Sequence, residues 1–383
     1  MDPARRFPSI WYLEQAARRR IPRFCWEYLS GGAGRGGGVA HNRAMLDAVR
    51  FVPRLLGDAA DRPRLATTLL GRTYDAPFAV APIGLGGLVW PRATEHLAAS
   101  ARRHNIPFIL STYATVAMER VAEIAREHAW FQLYAFNQPE MDRDIVARAE
   151  RAGFEVLVVT VDLPTATRRP HDARNGLAVP PGMDLGNLLQ MIVRPRWAAA
   201  MLRTGIPRFH TLLPHVPPGL SMADLGMRLG GLHEGHMTLE HLKALRDAWP
   251  RKLVVKGLYH AADVADCRRI GADAVVMSNH GGRHVEGAPS AIEMLAAARQ
   301  ELGGMAMIAD GGIRSGLDVA RFAARGADFV LCGRAFMFGV AAMGERGGDR
   351  VAEILKAELH QAMAHAGAPT LADLADALHH GGD

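Results

Sequence analysis

Residues 268–278 read RRIGADAVVMS: the charged end of a helix, a glycine, then an apolar run that closes on a serine. Two other joins repeat the pattern, ERAGFEVLVVT at 150–160 and AARGADFVLCG at 323–333. A glycine just past a helix terminus stops it cheaply, and a continuous Val-rich run behind it marks a strand covered on both faces. A helix-to-strand join of this kind, used three times, predicts parallel strands linked by crossover helices.

Working outward from 268–278, eight apolar runs of this kind fall along the chain: 77–82, 107–111, 130–134, 156–162, 252–257, 273–279, 305–311 and 329–334. Alanine-rich amphipathic stretches such as 93–104, 116–128 and 139–152 separate them and suit helices. Eight alternations predict an α/β fold of the closed (β/α)8 TIM barrel type, with a doubly wound open sheet as the alternative. Residues 1–383 then form a single domain, with the barrel in 76–182 and 238–365. Two regions lie outside the alternation: a helical N-terminal segment, 1–75, with the turn GGAGRGGG at 31–38, and a long Met-, Arg- and Pro-rich insertion, 183–237, after the fourth strand. Insertions of that length serve as lids or binding elements.

The chain has 383 residues, 49% hydrophobic and 22% charged, with a formal charge of +6. Its arginines are scattered through predicted helices, which argues for a solvated surface and against a nucleic-acid partner. Three widely spaced cysteines match no disulfide or metal spacing and predict reduced thiols in a cytoplasmic setting. The N-terminus lacks the apolar centre of a signal peptide, and no run reaches the roughly 20 apolar residues of a spanning helix. No metal is expected.

In such a barrel, chemistry gathers where strands end. The run ends supply Ser111, Gln132 and Tyr134, Thr160 and Asp162, Lys256, Ser278 and His280, Asp310, Gly333 and Arg334. One polar strand end is turn chemistry; a ring of them predicts an active site. DGGIRSG (310–316) and CGRAF (332–336) on the last two units form a phosphate signature, because glycines admit an oxyanion to backbone N–H groups and a helix N-terminus favours it. Lys256 reads as a fixed cation beside a polar ring system, or as a buried lysine paired with a carboxylate. His280 is the candidate base, Asp162 its orienting partner, and Arg283 and Arg169 could grip a carboxylate bidentately. Tyr28 and Tyr134 could add hydroxyl donors.

These motifs, in the order IPRFCWEYLSGGAG, APIGLGG, FQLY, VVTVDLP, RRPHDARNG, VVKG, SNHGGR, DGGIRSGLD and GRAF, resemble the FMN-dependent L-2-hydroxy acid oxidising enzymes over almost the whole chain. The insertion with RPRW (194–197) looks most like the bacterial mandelate dehydrogenase branch. The resemblance implies an FMN cofactor touched by Pro82, Ile83, Gly84, Ser111, Gln132, Thr160, Lys256 and Ser278. Its phosphate would be held by Asp310, Gly311, Gly312, Ile313, Arg314, Gly333 and Arg334. It further implies that Tyr28, Tyr134, Arg169 and Arg283 bind a small 2-hydroxy acid, mandelate- or lactate-like, with His280 as base.

The implied activity is oxidation to the 2-oxo acid, with electrons passed to a quinone. The alternatives are an oxidase that releases peroxide from O2 and, more remotely, a non-redox FMN barrel isomerase. The insertion is read either as a soluble lid or as a contact with a membrane surface, which would place the enzyme peripherally at the inner face of the plasma membrane. A homo-tetramer is the assembly implied. Three departures stand out: Ile83 where Thr is common, Gly84 as in the dehydrogenase-type members, and His284-Val285-Glu286 where the family continues with Q-L-D. Tyr113 is placed against the substrate side chain, consistent with limited bulk or an aryl group. His284 is given no role.

Overall fold

A computed structural model of the chain describes residues 2–53, 56, 63–136, 138–165, 167–175, 185–215 and 237–379. All eight apolar runs become strands: β3 (Phe78–Val80), β4 (Phe108–Ser111), β5 (Ala129–Tyr134), β6 (Val156–Thr160), β7 (Lys252–Leu258), β8 (Ala274–Met277), β9 (Ala306–Asp310) and β10 (Phe329–Cys332). They pair in parallel in chain order, and β10 closes on β3 to complete the barrel. The expected (β/α)8 architecture is therefore what the chain forms.

Strand periodicity sorts the side chains. Ile109, Trp130, Val158, Val254, Val276 and Ile308 fill the barrel interior, while Phe108, Phe131, Leu157, Val255, Val275 and Met307 pack outward under the helices. Successive residues of a strand face opposite sides. Each polar residue two positions beyond an inward one therefore also faces inward, at the mouth of the barrel: Ser111, Gln132, Thr160, Lys256, Ser278 and Asp310. Those residue types end the core and begin the site.

The expected helices form at Ala93–Arg103, at Met118–Ala125 with a 3-10 turn at Arg126–His128, and at Pro139–Arg151. The N-terminal segment supplies helices Pro3–Arg6, Ile10–Arg20, Arg23–Ser30 and Gly37–Ala48, but it is not wholly helical as expected. Thr67–Leu69 (β1) and Arg72–Tyr74 (β2) form an antiparallel hairpin. Leu69 and Tyr74 join the interior core, with the Tyr74 ring edge-on to Phe329 at 5.8 Å. The hairpin plugs the end of the barrel opposite the site, where apolar strand starts would otherwise meet water.

Within the insertion, Leu185–Ile192 and Pro195–Thr204 are helices. Trp197 anchors them: its indole donates to the Leu88 carbonyl at 3.2 Å and packs edge-on to Phe24. Leu185, Leu189, Ile192, Val193, Leu202 and Ile206 project outward and are 60–86% exposed. Residues 183–184 and 216–236 of the expected insertion lie outside the described residues. Among the described residues no helix is long and apolar enough to cross a membrane. All three cysteines are buried and unpaired.

Candidate active site

A cavity of about 420 Å³ opens at the C-terminal ends of the strands, within the size range of small-molecule sites. Its wall brings together Tyr28, Pro82, Ile83, Gly84, Ser111, Tyr134, Arg169, Lys256, His280 and Arg283 with Asp310–Arg314, Gly333 and Arg334. Most of the residues singled out in the sequence thus converge, although Tyr28 and Arg334 are 306 positions apart. Four do not reach the wall: Gln132, Thr160, Asp162 and Ser278.

Asp162 stands behind His280. Its carboxylate accepts from His280 Nδ1 at 2.9 Å and is itself fully buried. The approach depends on β7, which lies between β6 and β8, the strands that lead into the two residues. Gly257 there adopts φ +101, and a Cβ on it would stand 2.6 Å from the Asp162 Cβ and Cγ. Burial alone would raise the Asp162 pKa; the histidines, His280 foremost, more than reverse this and hold it well below the carboxylate range. Burial depresses His280 to about 3, against the partial support of Asp162. The pair is therefore carboxylate and neutral imidazole. Nδ1–H is tied to Asp162, and Nε2 is left as the acceptor, 3.1 Å from the Tyr134 hydroxyl. Burial pushes the Tyr134 phenol well above its ordinary value, so it remains a donor. His280 itself sits at φ +54, followed by Gly281 and Gly282 at +64 and +77. A β-carbon in that region costs about 1–3 kcal/mol, a strain typical of functional sites.

Lys256 takes the second of its sequence readings, a buried lysine paired with a carboxylate. It is buried and paired to Asp310 at 2.9 Å, with Ser278 Oγ at the same distance. Burial opposes its charge, but Asp310 and Asp162 outweigh that and raise its pKa. Ser278 acts behind the wall: its hydroxyl donates to Asp310 at 2.6 Å and accepts from His280 N at 3.0 Å. The Asp310 carboxylate is committed to Lys256 and Ser278 and the Arg314 N–H to Asp318 at 2.8 Å, so it is the backbone of 311–313 and the start of the helix Arg334–Met343 that could cradle an anion.

The arginines are less free than their sequence suggested. Arg334 donates to the carbonyls of Leu29, Gly281 and Gly31 at 2.8–2.9 Å. Arg283 donates to Tyr28 and Gly31 carbonyls and lies over the Tyr28 ring at 5.0 Å. Arg314 packs on Phe338 and faces Glu14. Arg169 is paired with Asp172 at 2.6 Å. Tyr28 donates to the Gly84 carbonyl at 3.0 Å. Tyr113, the residue expected against the substrate side chain, packs 5.6 Å from Phe209 of the insertion and 5.5 Å from Tyr134.

Two positions escaped the sequence reading. His284 stacks on His280, ring centroids 3.8 Å apart, and its Nδ1 lies 2.8 Å from the Asp162 carbonyl. Glu286 accepts from the backbone N–H groups of Arg35 and Gly37, fixing the glycine-rich turn. The departure from Q-L-D was the available signal for both.

The polar strand ends suit a flavin. Gln132 Nε2 and Oε1 and Thr160 Oγ are buried without a protein partner, an arrangement costly in a core and fitting for the edge of a heteroaromatic ring with alternating donors and acceptors. With a fixed cation at Lys256 and glycine turns beside Arg314 and Arg334, the residues fit FMN. Fold and site together define a flavin-dependent oxidoreductase built on a TIM barrel. The comparisons agree: residues 17–380 match the model of the FMN-dependent dehydrogenase family, and the chain belongs to that family. It is 36% identical to (S)-mandelate dehydrogenase of Pseudomonas putida over 93% of this chain and 90% of that one. It is equally identical to L-lactate dehydrogenase of Xanthomonas axonopodis pv. citri, over 95% and 94%. A crystal structure of the monotopic membrane protein (S)-mandelate dehydrogenase superimposes with a TM-score of 0.91 at 34% identity, covering 97% of this chain and 98% of that one.

Proposed function

We propose that the enzyme oxidises an L-2-hydroxy acid to its 2-oxo acid, with His280 as the base. The observation that carries this reading is the polarity of His280: Nδ1 is tied to a buried carboxylate, and Nε2 is presented to the cavity beside Tyr134. A neutral, oriented imidazole is what a hydroxyl proton requires. FMN, when bound, would supply the acceptor for the α-hydrogen and the two electrons of the Cα–H bond that the substrate gives up. The chain's part is positional and acid–base. Arg283, Arg169 and Tyr28 hold the substrate carboxylate, which aims the α-carbon across the cavity. The hydroxyl proton passes to His280 Nε2, and Asp162 stabilises the imidazolium that results. Tyr134 donates to the substrate oxygen, and Lys256 remains a cation throughout.

An aryl substrate such as L-mandelate is favoured by the Tyr113–Phe209 pair at the wall, whose rings offer edge and face contacts to a phenyl group. We infer a membrane quinone as electron acceptor. Its support is the apolar outer face of 185–206 together with the likeness to a monotopic membrane enzyme. Anaerobic bleaching of the flavin by glycolate, L-lactate, L-mandelate and a long-chain 2-hydroxy acid tests the substrate, with L-mandelate expected to react fastest. A His280→Gln variant that keeps its flavin yet turns over at the wild-type rate would remove His280 as base. Stoichiometric peroxide in air would replace the quinone by O2.

A further inference from the structure

The histidine that follows the SNHGGR segment is placed where an inert loop residue would not be. The His284 side chain is 6% exposed and its ring lies on the His280 ring, with centroids 3.8 Å apart and planes at 25°. Its Nδ1 is 2.8 Å from the carbonyl oxygen of Asp162 and 3.4 Å from Oδ1 of the same residue. A carbonyl only accepts, so His284 Nδ1 carries hydrogen, which fixes its tautomer as the carboxylate fixes that of His280. Asp162 is therefore held on two sides, at its carboxylate by the base and at its backbone by the neighbouring imidazole. Near-parallel rings point their nitrogen lone pairs side by side rather than toward one centre, which suits a stacked pair better than a shared metal ion.

We propose that His284 is a positioning residue of the proton-accepting unit, one that holds Asp162 in register behind the His280 ring on which it stacks. The proposal rests on the reading of His280 as base. Two effects act in the same direction. The stacked His284 ring opposes a proton on His280. The His284 N–H near Asp162 Oδ1 also draws electron density that the His280 N–H would otherwise receive whole. The remaining groups facing the pair are the Asp162 carboxylate, the Lys256 ammonium backed by Asp310, and the Tyr134 and Tyr259 phenols, with Arg283 and Arg169 at the cavity wall. The Tyr134 ring is also near-parallel to His280 but at 6.2 Å between centroids, against 3.8 Å for His284, and the substitutions below leave all of these groups in place.

Removing the imidazole at 284 therefore makes His280 easier to protonate, and the acid limb of kcat/KM moves to higher pH. His284→Asn retains a donor near the Asp162 carbonyl but no ring; His284→Phe retains a ring but no donor. For both, the acid limb is expected to rise by about half to one pH unit. The plateau kcat should stay within a few-fold of wild type for His284→Asn and fall by about tenfold or more for His284→Phe, where Asp162 loses its anchor. The second readout does not depend on turnover. In the oxidised holoenzyme labelled with 15N-histidine, the His280 resonances should titrate at higher pH in both variants. Flavin absorbance and thermal melting confirm that the variants are folded and loaded. An acid limb and a His280 titration that coincide with wild type in both variants would overturn the proposal. A His280→Gln enzyme with undiminished turnover would instead overturn the assignment of the base, so the two failures are distinguishable.

Discussion

Replacing Asp162 by Asn probes the link between geometry and rate most directly. The carboxylate lies 2.9 Å from His280 Nδ1 in a fully buried position. Taken as unit charges at an effective dielectric of 20, the carboxylate and the imidazolium formed during turnover attract by about 332/(20 × 2.9), or about 6 kcal/mol. An amide keeps a dipole there and restores part of this, so about 4 kcal/mol is lost, equivalent to roughly a thousandfold in rate. A second loss adds to it. An Asn NH2 turned toward Nδ1 would stabilise the tautomer protonated at Nε2, which removes the acceptor from the cavity. The expected result is a fall in kcat of about 10³-fold or more, with flavin content unchanged. The assay is anaerobic stopped-flow reduction of the bound flavin at saturating L-mandelate, which isolates the oxidation step from reoxidation. A fall of less than tenfold in a fully loaded variant would refute the reasoning, because His280 would then function without its carboxylate.

Three further outcomes are expected. Lys256→Met removes the cation paired with the buried Asp310 carboxylate, and breaking such a pair costs about 3–5 kcal/mol; urea denaturation should record this, together with weaker FMN retention. His280, held near 3 against an ordinary 6.5, binds fewer protons folded than unfolded, so its contribution to stability is complete above pH 6.5 and is lost as pH falls toward 3; urea midpoints measured across that window should slope less in His280→Gln than in wild type. Leu189→Glu with Ile192→Glu places two charges on the exposed face of the insertion and should abolish sedimentation with anionic vesicles, while solution turnover with a soluble acceptor changes by less than about twofold.

The barrel was legible because its determinants are local. Valine-rich runs with glycine joins specify strands and their helix crossovers, and period-two facing carries the inward direction from Ile109, Trp130 and Val254 to Ser111, Gln132 and Lys256. The hairpin at 67–74 was not legible, since each strand has three residues and only Leu69 and Tyr74 signal burial. The candidate site was legible as a set of residues, less so as a set of partnerships. Asp162 and His280 are 118 positions apart, just beyond the ends of two strands separated by β7, and nothing short of barrel closure with Gly257 between them shows that they touch. The commitment of Asp310 to Lys256 required knowing that adjacent inward positions on β7, β8 and β9 share one layer. Arginines that look like free anion ligands in a sequence can be largely engaged by carbonyls, as Arg334 is through three of its five N–H donors, because backbone acceptors leave no trace in residue identity. His284 was passed over for the opposite reason: a departure from a motif carries no direction until its neighbours are known.

The three bonds from Arg334 to Leu29, Gly31 and Gly281 have a consequence for how the molecule is made. Two of them join the helix Arg23–Ser30 and the glycine after it to the start of the helix beyond β10, across as many as 305 positions. Translation must therefore pass residue 334 before Leu29 and Gly31 can be tied to the closing side of the barrel. A nascent chain arrested after β9 would carry Asp162, Lys256 and His280 but neither a closed wall nor the cradle at Gly333. Competence of the site is thus acquired at a single late point in synthesis rather than accumulated strand by strand.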